Sequence, residues 1–329
     1  MRESLQRVCN QFVENRDAVK KTFKLESSYI YPVCANIFCS KGMVISRERL
    51  EEARSILRGK TGLFSNFRGT VQAPVVCMLA ADSDMESRME RTMTYYSLLK
   101  EKFWGSEYLA LVAFLMSDLV TEARAAEKIA RGRTIYERMK KEHPLLTSSE
   151  DSLFAVLMAF SDQSDDKLIE DMETCYRLLK RRFSDSNAVQ SASHVLALTD
   201  GTAEEKVARM LAMYDGIVAA GGKYSKHYAL STLAAMVCLD AAPETLVEEM
   251  LEADRFLAEQ TGYRGVLGMD RRTRMMHAAM LVSDLYLPRG QVDTAAVTGT
   301  ISMIAAQQAA MCAVIAGSAA ASTSASSSN

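Results

Sequence analysis

Two patterns of apolar and polar positions alternate along the chain. In the first, Leu168, Met172, Cys175, Leu179 and Phe183 step by four, three, four and four. That spacing puts them on one face of an α-helix. Asp166, Lys167, Glu170, Asp171 and Lys180 fill the opposite face, so the segment predicts an amphipathic helix with one buried stripe. The second pattern is short and almost uncharged. It reads "YLALVAFLMSD" to Asp118 and "SLFAVLMAFSD" to Asp162. Weaker copies read "SASHVLALTD" to Asp200, "LSTLAAMVCLD" to Asp240 and "MMHAAMLVSD" to Asp284, and an earlier pair reads "YPVCANIFCS" and "APVVCMLAADS". Strands compete for such runs. Ala and Met are plentiful in them, β-branched residues do not dominate, and Asn-Gly or Asp-Gly turn pairs are missing at their ends. Helices buried on every side are therefore expected.

The two patterns recur together. "YSLLKEKF" starts at Tyr96 and "YRLLKRRF" at Tyr176, 80 residues later. The marker tyrosines Tyr96, Tyr136, Tyr176 and Tyr214 are separated by 40, 40 and 38 residues. The expected unit is a short buried helix, a turn with Ser or Thr and Asp, and a longer amphipathic helix. "TAEE" from Thr202 fits a capping box and Pro243 a first helical position. A period near 40 is that of two-helix solenoid repeats. About seven copies begin near Ser28, Val71, Ser106, Glu150, Asn187, Lys226 and Arg272. The fold class read from this is all-α, with helix pairs forming an α-solenoid or an α/α ring. The expected organisation is an N-terminal helix within 1–27 capping the array and the repeats over 28–292. A C-terminal Ala-rich helix over 293–317 and a disordered tail over 318–329 complete it.

Bulk composition narrows the class without changing it. Five Pro and 16 Gly in 329 residues suit a helical chain. A formal net charge of −2 gives no basic excess for nucleic acid. Cys9, Cys34, Cys39, Cys77, Cys175, Cys238 and Cys312 are odd in number and widely spaced, with no CxxC pair. They read as reduced core residues of a cytoplasmic protein. The charged opening "MRESLQRVCNQFVENRD" has no signal-peptide apolar core.

Five phrases carry a resemblance: "LFSNFRGT" from Leu63, "GSEYLALVAF" from Gly105, "HPLLTSSEDSLFA" from His143, "SNAVQSASHVLAL" from Ser186 and "AAQQAAM" from Ala305. Together they resemble an uncharacterised bacterial family, found mainly in Firmicutes, known as domain of unknown function 4003. The likeness covers nearly the whole chain. It implies a helical protein of unassigned activity and carries no catalytic residue over.

Local catalytic motifs are missing: no GxGxxG, Walker loop, HExxH, EF-hand or GxSxG occurs. No two of His143, His194, His227 and His277 are four apart, and no Cys-His cluster has zinc spacing, so no metal or cofactor is expected. The 20 methionines read as core filling. His194 stands in a column otherwise filled by Val112, Val156, Ala234 and Ala278. A buried, hydrogen-bonded histidine is the plain interpretation. A base facing a cavity is the sharper one.

The loops after the long helices carry most of the distinctive residues. In a solenoid, equivalent loops line one edge. That places Asn66, Phe67, Arg68, Trp104, Ser106, Glu107, Tyr108, Ser149, Asn187, Lys226 and His227 on a common rim as candidate binding residues. Helix capping explains the serines and asparagines. It explains "NFRG" and "WGSEY" less well, and the single Trp of the chain falls there. After Asp293 there is no charged residue. The tail is rich in Ala, Ser, Thr and Gly, so packing on the last repeat is favoured over a membrane span. The functional expectation is a non-enzymatic binding or scaffold protein holding a protein, peptide or small ligand. The alternative is an enzyme in the mouth of an α/α ring, using Glu107, Glu150 and Asp151 with His194 as acid and base. Membrane attachment through the tail ranks third.

Overall fold

The computed structural model describes residues 1–24, 26–227, 229–265 and 268–286. The expected C-terminal helix and tail, 293–317 and 318–329, lie outside the described residues. Within them the chain is all-α: fourteen α-helices and no strand. In order they are α1 (Glu3–Thr22), α2 (Ile30–Ser40), α3 (Arg47–Lys60), α4 (Gln72–Ala80), α5 (Met85–Lys100), α6 (Glu107–Leu119) and α7 (Glu122–Glu142). There follow α8 (Asp151–Met158), α9 (Asp165–Lys180), α10 (Ser186–Ala197), α11 (Ala203–Ala219), α12 (Leu230–Ala235), α13 (Pro243–Ala258) and α14 (Arg271–Tyr286).

The uncharged runs fold as short helices with no exposed face. Every residue of α8 and α12 is buried, as are all of α4 after Gln72 and Leu109 through Ser117 of α6. The long helices keep one buried stripe. In α9 it is Leu168, Ile169, Met172, Cys175 and Leu179, and Phe183 just beyond the helix is also buried. Helix starts follow their sequence signals. The Thr202–Glu205 capping box opens α11, and Pro243 is the first residue of α13. Ser46, Asp84, Ser106, Ser164 and Asp185 each accept a hydrogen bond from a first-turn N–H.

The described residues divide into two compact units. Unit I comprises 15–38 and 43–162; unit II comprises 1–14, 39–42 and 163–286. In unit I, α3 packs on α4, α5 on α6 and α7 on α8, while α3, α5 and α7 also lie side by side. In unit II, α9 packs on α10, α13 on α14, and α9, α11 and α13 lie side by side. Each long helix thus grips the short helix that follows it more closely than the one before. Gly132 of α7 marks one such approach: a Cβ there would lie 3.0 Å from the Val156 Cα of α8. In unit II the terminal amino group of Met1 pairs with Glu252 at 2.9 Å, and Arg2 with Glu249 at 2.7 Å.

Two contacts hold both units and recur within them. The first is a T-shaped aromatic pair between a marker tyrosine and the phenylalanine ending the previous long-helix segment. Phe67–Tyr96 stands at 4.9 Å, Phe103–Tyr136 at 5.8 Å and Phe183–Tyr214 at 5.1 Å between centroids. Such pairs contribute about 0.5–1.5 kcal/mol beyond burial. In the second, a cation on a long helix reaches carbonyls at the end of a short one. Arg49 binds the carbonyls of Ala80 and Asp82. Lys128 binds Ala159 O at 3.0 Å, and Arg131 binds Ala159 O and Ser161 O. Arg209 binds those of Val237, Leu239 and Ala241. These carbonyls are the orphan acceptors of a helix C-terminus, at its negative end, so a buried cation satisfies both demands.

Where the cation sinks deeper, it takes a carboxylate with it. Arg88, 3 % exposed, donates to Phe114 O at 2.9 Å, lies over the Phe114 ring, and pairs with Asp82 and Asp118. Burial pushes its pKa down, opposed by the hydrogen bond to Asp82. Lys206, 2 % exposed, pairs with Asp171 at 3.0 Å and Leu196 O at 3.2 Å. Asp171 therefore departs from the solvated face that its helical spacing suggests. It sits at the edge of the stripe, buried against α11, because Lys206 has no water to turn to.

The six described cysteines are free thiols, five buried and Cys238 half-buried. Burial pushes Cys9 and Cys175 up to about 12 and Cys238 to about 11, which makes them poor nucleophiles at neutral pH. Among the described residues no helix is long and apolar enough to cross a membrane.

Candidate functional site

Because α3, α5 and α7 lie side by side in unit I, the loop after each of the first two packs against the next long helix. Phe67, in the loop after α3, packs on Tyr96 in the last turns of α5. Phe103, after α5, packs on Tyr136 of α7. The loops are tied further by polar contacts. Asn66 Nδ2 donates to the Tyr96 hydroxyl at 2.7 Å. Gly105 closes on that pair: a Cβ there would stand 3.1 Å from Asn66 Nδ2 and 3.3 Å from the Tyr96 oxygen. The Thr70 hydroxyl donates to Glu107 across to the start of α6. Arg133 of α7 donates to Lys102 O at 3.1 Å and stands over both Phe103 and Tyr136.

This architecture divides the candidate residues by role. Phe67 is fully buried and serves the core. Arg68 donates to Arg58 O and Thr61 O, finishing the C-terminus of α3. Ser106 caps α6 through the Leu109 N–H. Asn66 and Glu107 hold neighbouring loops together, and Tyr108 is half-buried in the first turn of α6. Ser149 takes the Ser152 hydroxyl on its carbonyl. Trp104 stands wholly outward, 93 % exposed.

The spacing-based list missed its companions. Phe64, 101 % exposed, projects from the loop after α3, and Leu145, 97 % exposed, from the loop after α7. With Leu63 at 78 %, these are the most exposed large apolar side chains among the described residues. Phe64 falls in the "LFSNFRGT" phrase, but Leu145 carries no aromatic signal at all.

Trp104 also walls a cleft of about 370 Å³, lined by Lys100, Glu101, Lys102, Phe103, Gly105 and Arg133. Lys100 stands over the Tyr96 ring, while Arg133 pairs with Glu137 at 2.8 Å. No described carboxylate pairs with Lys100 or Lys102.

In unit II the corresponding loops carry a different set. Asn187, Lys226 and His227 are exposed. Asp185, rather than Asn187, caps α10 through the Ala188 N–H, and it also meets His227 Nδ1 at 2.7 Å. Burial raises the Asp185 carboxyl, but the His227 contact and the Ala188 N–H outweigh it and hold it below the usual carboxylate range.

The acid–base candidates fall in different settings. Glu107 is engaged with Thr70. Glu150 is pushed up by burial. Asp151, 5 % exposed, is pushed up to about 7, chiefly by burial, while the Ser148 N–H donating at 2.7 Å opposes the shift. These three belong to unit I. His194 belongs to unit II and is fully buried in α10. His277 is likewise buried, its Nδ1 2.8 Å from the Tyr263 hydroxyl. Among the described residues no group of three or more His, Cys, Asp or Glu side chains could hold a metal ion.

Comparison with known proteins adds no chemistry. An uncharacterised protein of Bacillus subtilis (strain 168), YeaA, is 22% identical over 228 residues, covering 67% of this chain and 68% of its own. No solved structure matches. The family described as protein of unknown function (DUF4003) matches residues 15–309, and the chain belongs to that family.

Proposed function

We propose that this chain is a non-enzymatic helical-repeat binding protein. Its helix pairs, with a period near 40 residues, stack as an α-solenoid within each unit, and the loop rim of unit I is its contact surface. The observation that carries the reading is the outward display of Phe64, Trp104 and Leu145 on three successive loops. Scattered apolar side chains on a surface need no explanation, but one nearly fully exposed on each of three successive loops makes a candidate interface. Aromatic anchors dominate the energetics of protein interfaces. Two of the three loops are pinned beneath: the one after α3 by the Phe67–Tyr96 pair and Asn66 to Tyr96, and the one after α5 by Phe103–Tyr136. A rigid display lowers the ordering cost of binding.

The test compares affinity capture from the host by the native protein and by a Phe64→Ser, Trp104→Ser, Leu145→Ser variant, with mass spectrometry of bound proteins and small molecules. The expected result is loss of specific partners by the variant at unchanged melting temperature. Identical captures would exclude the rim as the binding surface.

A further inference from the structure

The cleft beside Trp104 narrows the class of partner. Its charge is not explained by the helix end alone. Lys100 lies in the last turn of α5, where a cation complements the helix dipole. Lys102 lies beyond the helix, and Arg133 arrives from α7. Arg133 is turned toward the cleft by Lys102 O, Glu137 and the two rings below it. Lys100 and Lys102 are both exposed, and the cleft contains one acid, Glu101. The result is a small cavity with a net positive lining, open to solvent and flanked by an exposed indole.

Building on the rim reading, we infer that the cleft takes an acidic peptide segment, one that places carboxylates against Lys100, Lys102 and Arg133 and an apolar side chain against Trp104. Charge complementarity selects the acid. The indole selects an apolar companion, since its exposed face gains only by leaving water. A nucleic-acid strand fits less well. It would ask for a continuous cationic track and several stacking surfaces, whereas the cleft offers three cations beside one acid and a single exposed indole.

The test uses the full chain and a fluorescently labelled acidic decapeptide with two central leucines, read by anisotropy. A counterpart with lysine at every acidic position and a single-stranded oligothymidylate decanucleotide serve as the other arms. Saturable binding of the acidic peptide is expected, weakened about tenfold by Lys102→Glu and further by Lys100→Glu with Lys102→Glu, and weakened by added salt. Both lysines are exposed, and a thermal melt of each variant checks that it is folded. Binding of the lysine peptide or the oligonucleotide as tight as that of the acidic peptide overturns the inference. So does the absence of acidic-peptide binding, or binding that Lys102→Glu leaves unchanged. Failure here with partner capture still lost in the Phe64, Trp104, Leu145 variant would remove the acidic class and leave the rim reading standing. Failure of both would remove the rim.

Discussion

The loops after the long helices of the two units are built on one scaffold and finished differently. In both, a phenylalanine at the end of one long helix packs edge-on to the marker tyrosine of the next: Phe103 on Tyr136 in unit I, Phe183 on Tyr214 in unit II. In both, a cation crosses that tyrosine, Arg133 in one and Arg182 in the other. The residue after the phenylalanine then diverges. It is Trp104 in unit I and Ser184 in unit II, both exposed. The difference separates what the fold needs from what it merely presents. The phenylalanine is buried in each case, whereas the tryptophan adds nothing to the packing beneath it.

If that separation holds, substitutions in the scaffold should hurt both units and substitutions on the rim should hurt neither. The largest loss is expected from Lys206→Ala, which leaves the buried Asp171 carboxylate of unit II with only the exposed Lys167, 3.2 Å away, and takes the donor from Leu196 O. Chemical denaturation should show about 3 kcal/mol, the lower end for breaking a buried pair. Arg88→Ala in unit I should cost less, about 2–3 kcal/mol, because one of its two carboxylates, Asp118, is half exposed and can be solvated, while Phe114 O loses its donor.

Next comes a stabilising change. The folded pKa of Asp151 lies near 7, above its ordinary 3.8, so between those values the folded protein holds the proton more tightly than the unfolded chain. Stability should therefore fall as pH rises through that window and stay low above it. Asp151→Asn, which keeps an acceptor for the Ser148 N–H, should raise stability at pH 8 by at most about 4 kcal/mol and flatten the decline. Melting curves from pH 4 to pH 8 check both. A parallel decline in wild type and variant would assign the effect to another group.

Smaller still are the aromatic pairs. Phe103→Leu and Phe183→Leu should each cost about 1 kcal/mol, and by similar amounts, since the geometry is shared. At the bottom of the scale, Trp104→Ser and Phe64→Ser should each change unfolding free energy by less than about 0.5 kcal/mol. A loss of several kcal/mol at Trp104 would return it to the scaffold.

Much of the fold was legible because burial writes itself into composition. "YLALVAFLMSD" admits no solvated face, and α6 has none from Leu109 to Ser117. The marker tyrosines were visible as a period, but their job was not, because the partner phenylalanine lies about 30 residues away. The cationic ties were written too. Eight residues before the markers stand Arg88, Lys128, Leu168 and Lys206, and five before stand Arg91, Arg131, Asp171 and Arg209. Read as helix surface, these columns look solvated. Only the three-dimensional neighbour shows that three of the four in the first column are sunk to serve carbonyls. The Asp171 exception faces the cation of the following helix. Spacing located the loops after the long helices, and Trp104 lies exposed in one of them. It could not separate Phe67, which enters the core, from Phe64, which leaves it, since both belong to one turn-rich stretch without periodicity.

The sole tryptophan gives the most direct test of the claim that unit I displays a surface its fold does not use. The purified protein should emit as a water-exposed indole and be quenched fully by acrylamide, then shift to the blue and gain protection when the captured partner is added. An indole already shielded in the purified protein, or one whose emission ignores a bound partner, would contradict it.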